Sequence, residues 1–118
     1  MNNFGNQTHL KNVLGCIEDI ENYCADLSHE EMQDEEFRKL VYRRLCKLGA
    51  EAGRVNVDHS SVFTLKSFEN ADYNNDDLGK DPYAILNFII NDLDYIKNDI
   101  KKLYSQVVKE SKSKYAMA

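Results

Sequence analysis

Between Asp81 and Val108, apolar residues recur mostly at steps of three and four: Ile85, Leu86, Ile89, Leu93, Ile96, Ile100, Leu103 and Val107. That spacing is the buried stripe of an amphipathic helix. The opposite face carries Asn87, Asn91, Asp94, Lys97, Asn98, Lys101 and Lys102. Asp81 is placed to cap the helix, and Pro82 takes the first helical position, where a missing N–H costs no hydrogen bond. A helix over this stretch is roughly 40 Å long. It needs partners of similar length to cover its stripe, so the rest of the chain is expected to be helical too.

The partners are visible upstream. Leu10, Val13, Leu14, Ile17, Ile20, Cys24 and Leu27 form one stripe over residues 8–27, with Glu18, Asp19, Glu21 and Asn22 on its outer face. Gly15 within it predicts a close helix approach, since an interior glycine costs about 1 kcal/mol against alanine. Ser28 and Glu31 have capping-box spacing and predict a short helix. Asp34 predicts another N-cap, followed by Glu35 and Glu36 in the first turn, where acidic side chains suit the helix dipole. The helix it opens carries Phe37, Leu40, Val41, Leu45, Leu48 and Ala52 on one face, and Arg38, Lys39, Arg43, Arg44 and Lys47 around the others. Residues 55–60 read as a loop. Ser60 or Ser61 then caps a shorter helix with Val62, Phe63, Leu65 and Phe68. Residues 70–82, dominated by Asn, Asp and Gly, read as loop again.

The predicted fold is all-α, an antiparallel up-and-down bundle of four or five helices in a single domain over residues 1–118. Residues 1–7 and 110–118 are expected to be flexible ends. One proline and five glycines leave few breaks, and 42% hydrophobic with 30% charged residues is an ordinary globular balance. A formal net charge of -5 argues against a surface that coats nucleic acid generally. No apolar run approaches the ~20 residues of a membrane span, and the first residues are too polar for a secretory signal. Cys16, Cys24 and Cys46 lack ligand spacing and read as small reduced residues of a cytoplasmic protein.

Motifs for chemistry are sparse. His9, His29 and His59 are scattered, so no metal is expected and no cofactor is implied. Glu18, Asp19 and Glu21 follow a solvated helix face. The basic cluster reads first as i, i+4 pairing with Glu35 and Glu36. Arg43 and Arg44 border the apolar stripe, so partial burial is expected for one of them.

Three segments carry a resemblance to a known family. They are LKNVLGCIEDIENYCADLSHEE (residues 10–31), DEEFRKLVYRRLCKLGAEAGRV (34–55) and DPYAILNFIINDLDYIKNDIKKL (81–103). In order and spacing the chain resembles the HepT-like proteins of the HEPN superfamily, small helical toxins often encoded beside a minimal nucleotidyltransferase. In active members a motif between the second and third segments cleaves RNA without metal. It runs Arg, a polar residue, three variable positions, His, one residue and Tyr. Histidine moves the proton and arginine holds the phosphate. Some members have the Tyr modified with AMP by the partner nucleotidyltransferase.

Here the corresponding stretch is KSFENADY, residues 66–73. Lys66 stands for the Arg, Ala71 for the His, and Tyr73 matches, preceded by Asp72. Lysine keeps the charge but loses the bidentate fork, and alanine moves no proton. The resemblance therefore implies a HEPN-like fold with a degenerate ribonuclease motif, a protein that acts by binding rather than catalysis. Lys66, Asp72, Tyr73, Arg43 and Arg44 are the candidate binding residues. A homodimer is expected, with Tyr42, Phe63, Phe68 and Tyr83 supplying aromatic surface. A minimal nucleotidyltransferase is the candidate partner, RNA is less favoured, and no membrane is involved. The alternatives are an active metal-independent endoribonuclease toxin of a toxin–antitoxin pair, and an unrelated bacterial or phage helical adaptor.

Overall fold

In the computed structural model, residues 3–25, 29–75 and 77–116 are described. The chain is an all-α bundle. Helix α1 (Asn3–Tyr23) leads to a short α2 (His29–Met32), then to α3 (Glu35–Ala52) and α4 (Ser60–Lys66). After a 3₁₀ turn at Tyr73–Asn75 come α5 (Asp77–Lys80), α6 (Pro82–Asn87), one π-helical turn (Phe88–Asp92) and α7 (Leu93–Ala116). The last three form one rod, which at 1.5 Å per residue is roughly 52 Å long. It spans most of a molecule measuring 56 × 26 × 18 Å. Among the described residues no helix is long and apolar enough to cross a membrane.

The caps form where the side chains are suited to them. Asp81 accepts from the backbone N–H groups of Tyr83 (3.0 Å) and Ala84 (3.3 Å), ahead of Pro82. Asp34 accepts from Glu36 N–H at 3.0 Å. At α4 the expected serine cap is replaced: His59 Nδ1 accepts from Ser61 N–H at 3.0 Å. Ser61 is buried, and its hydroxyl donates to Asp99 at 2.7 Å, joining α4 to the rod. The expected capping serine of α2, Ser28, lies outside the described residues.

The three stripes meet as the periodicity requires. Leu10, Val13, Ile17, Ile20 and Cys24 pack with Val41, Leu45, Leu48 and Ala52 and with Ile85, Ile89, Leu93, Ile96, Ile100, Leu103 and Val107 in one core. Helices α1 and α3 run antiparallel, since Asp19 pairs with Arg44 while Asn6 bonds Asn56. The rod begins against α2, just beyond the end of α1, and then follows α1 back; Lys97 reaches Glu21 at 2.7 Å on the way. Leu27 of the first stripe lies outside the described residues.

Several expectations are corrected. Gly15 marks no close approach: a Cβ there would meet nothing within 4 Å. The close approach is at Gly49, where a Cβ would lie 2.6 Å from Glu69 N and 2.8 Å from Leu65 O. The polar residue type at position 6 conceals that helix α1 already begins at Asn3. Asn6 is buried, accepting from Asn56 N–H at 2.9 Å and donating to Asn56 O at 3.3 Å. The rod continues past Val108 to Ala116. The stretch read as loop at 70–82 contains the 3₁₀ turn and α5. Leu40 is exposed, whereas Arg38, placed on an outer face by periodicity, is buried. Its Nη1 donates to Met32 O and Gln33 O, both at 2.8 Å, which closes the α2–α3 turn. Of the four aromatics expected at the surface, Tyr42 and Phe68 belong to the interior; Phe63 and Tyr83 are exposed.

Candidate functional site

The residues singled out by the motif do not converge on one point. Gly49 lets the chain after α4 press against α3. From there the contacts step back along α3: Cys46 Sγ lies 3.7 Å from Ala71 O, and Tyr73 meets Tyr42 edge to face at 5.7 Å between ring centroids. Aromatic pairs favour such edge contacts because the ring edge is positive and the face negative. Asp72 Oδ1 accepts from Asn74 N–H at 3.0 Å, an Asx turn that sets up the 3₁₀ turn carrying Tyr73. Lys80 Nζ closes the same turn by donating to Asn74 O.

The result is an open groove of about 390 Å³ lined by Lys39, Tyr42, Arg43, Cys46, Ala71, Asp72, Tyr73 and Asn74. Its floor is aromatic, and one rim is cationic. Lys39 Nζ stands 5.6 Å from the Tyr73 ring centroid while also pairing with Glu35 at 3.5 Å and Glu36 at 3.8 Å. The Glu35 pair has the anticipated i, i+4 spacing, and the Glu36 pair is i, i+3. Arg43 is exposed beside the groove. Asp76, in the acidic loop that follows, lies outside the described residues.

Lys66 is not part of this groove. It ends α4, with its ammonium 5.6 Å from the Phe63 ring centroid. Alanine at position 71 leaves no imidazole at the groove, and His59 is committed to capping α4. Among the described residues no cluster of His, Cys, Asp and Glu could hold a metal ion.

Arg44 belongs to the other side of α3. Its guanidinium lies 3.8 Å from the centroid of Tyr23, a cation–π contact, and Tyr23 stacks on Phe37 at 5.3 Å. Its Nε is buried 3.6 Å from Asp19 Oδ2, too long for a hydrogen bond. Here α1 and α3 enclose a second groove, of about 580 Å³, lined by Lys11, Asn12, Gly15, Cys16, Asp19, Arg44, Lys47 and Glu51. Burial first, and the Glu51 carboxylate next, raise the Cys16 thiol above its ordinary value. Burial likewise pushes Cys24 up to about 11. All three cysteines are free thiols.

Sequence reasoning missed this second groove. One sign was present: a glycine in mid-helix without a turn to justify it.

Comparison with protein-family profiles, curated proteins and solved structures finds no match to this chain.

Proposed function

We propose that this protein is a HEPN-like helical module without nuclease chemistry, acting by docking a protein partner at the Tyr73 groove. One observation carries this reading: Tyr73, Asp72 and Arg43 gather on an open aromatic groove that has no imidazole, while Lys66 points elsewhere. General acid–base catalysis contributes about 10²–10⁴ in rate, and Ala71 supplies none of it. An aromatic floor beside a cationic rim suits an interface anchor, where Tyr and Arg are enriched. A minimal nucleotidyltransferase with an acidic docking surface is the partner this reading favours, with the module itself a homodimer.

Purified protein incubated with a mixed RNA pool in EDTA should leave the RNA intact, as should Lys66→Ala and Tyr73→Phe. Cleavage by the wild type that disappears in either variant would overturn the reading and restore the toxin. Association with a co-expressed minimal nucleotidyltransferase should weaken in Tyr73→Ala and in Arg43→Glu. Light scattering should give twice the chain mass of 13.6 kDa.

A further inference from the structure

The face shared by α4 and the rod is separate from both grooves described above. It holds a depression of about 260 Å³, with Ser60 and Thr64 on the α4 wall, Asp92 and Tyr95 on the rod wall, and the buried Phe88 and Ile96 beneath. Each wall bares an aromatic ring to solvent: Phe63 on α4 is 51% exposed and Tyr95 on the rod 69%. Aromatic rings are the side chains that gain most from being covered at an interface. The hydroxyls of α4 lose little when water leaves. Thr64 Oγ1 donates to Ser60 O at 2.9 Å and Ser67 Oγ to Thr64 O at 2.6 Å, so both donors are met within their own helix.

Charge divides between the same two walls. Lys66 ends α4 and Asp92 ends the π turn, and neither has an ion pair among the described residues. Helix α4 runs antiparallel to the rod, because Ser61 bonds Asp99 while Phe68 meets Phe88 edge to face at 5.4 Å. Between those two anchors Phe63 falls roughly level with Tyr95, and Lys66 roughly level with Asp92. Each wall thus offers an exposed aromatic and an unpaired charge, with the charges opposite and the heights matched. A two-fold axis parallel to the rod preserves height and exchanges the walls. It sets each Phe63 against the other copy's Tyr95, and each Lys66 against the other copy's Asp92. Every contact then occurs twice, as an isologous interface requires. A foreign partner would have to reproduce this matched spacing, whereas a second copy supplies it unchanged.

We propose that the face formed by α4 and the rod binds a second copy of this chain, with Phe63 packed on Tyr95 and Lys66 paired with Asp92 across a two-fold axis. This rests on the homodimer of the preceding reading and names the surface that forms it.

The test is sedimentation equilibrium of the full chain, which reads mass regardless of shape, on the wild type and four variants. The wild type should give the dimer mass. Phe63→Glu should weaken association about a hundredfold, with the helical circular dichroism retained because Phe63 lies outside the core. Lys66→Asp sets two carboxylates face to face at both symmetric places and should weaken association about as much. Asp92→Lys should do the same with two cations. The double variant Lys66→Asp/Asp92→Lys should return to within about tenfold of the wild type, a rescue that a folding defect in either single variant would not produce. A monomer at concentrations up to about millimolar would overturn this proposal and the homodimer together. A dimer indifferent to Phe63→Glu, or to both charge reversals, would overturn this face alone and leave the homodimer to another surface. Association lost as fully in the double variant as in the singles would overturn the proposed pairing.

Discussion

Gly15 and Gly49 are the same residue type in helices of similar length, and their environments give them opposite meanings. Gly15→Ala should stabilise the fold by about 1 kcal/mol, the helix-propensity difference, because its Cβ enters open space. Gly49→Ala should destabilise by about 1–3 kcal/mol, the usual cost of overpacking. The contacting atoms are backbone and cannot swing aside. Urea unfolding of the two variants reads both signs in one experiment. The sequence reads Gly15 as a close approach and Gly49 as a residue near the helix end; which of them faces a neighbour depends on where α4 lands. Arg38 was illegible for a related reason. Periodicity assigns it outward, yet the two carbonyls it satisfies, of Met32 and Gln33, exist only once the α2–α3 turn has formed. Arg38→Ala should cost on the order of 3 kcal/mol, since charged hydrogen bonds are lost and buried acceptors are left. Arg38→Lys should recover part of that.

At the level of the element, the rod was the most legible part of the chain, and it contains one surprise. Ile85, Ile89 and Leu93 keep the α-helical step of four, and Leu93, Ile96, Ile100, Leu103 and Val107 alternate three and four, but the buried Phe88 lies five residues before Leu93. Five residues ahead of Leu93, Phe88 lies off the α-helical stripe, and the π turn at Phe88–Asp92, with an i→i−5 bond from Leu93 N–H to Phe88 O, turns it to the buried side beside Ile89. Ile90 lies in that turn and is exposed. Deleting it shortens the Phe88–Leu93 step to four and should leave a continuous α-helix, with stability changed by no more than about 1 kcal/mol. Deleting Ile100 should instead throw the seam out of register and unfold the protein. Circular dichroism melts of both deletions distinguish the two outcomes. The smaller α4 starts where expected but stops at Lys66, short of Phe68, and its cap was missed because histidine ranks low among capping residues. His59→Ala should cost about 1 kcal/mol, and His59→Asn should restore it.

The whole molecule rests on the three-way seam, which was readable because apolar spacing directly records which face is buried. Leu93→Ala should cost roughly 2–5 kcal/mol, as it is fully buried where the rod meets the core. The grooves were much less legible than the seam: their residues come from separate elements, and only the packing of α3 sends Arg43 to one groove and Arg44 to the other. One ion pair ties the ends of this architecture to pH. The Glu21 hydrogen bond, ahead of all other causes, raises Lys97 above its ordinary value. A lysine raised by folding lends stability that is complete below its unfolded value and is lost as pH climbs through the folded one. Melting temperature in the alkaline range should therefore fall further in the wild type than in Lys97→Met.

The same rod governs how the protein moves through solvent. Its radius of gyration is 15.7 Å, against about 13.5 Å for a compact chain of this length. Friction grows with elongation at constant mass, so a single copy should sediment slowly and leave a sizing column early, at the position of a heavier sphere. Elution volume calibrated on round standards would thus report a false dimer. Rotational diffusion should be anisotropic, with transverse amide relaxation faster for N–H bonds along the rod, which reorient only by the slow end-over-end tumbling, than for those set across it.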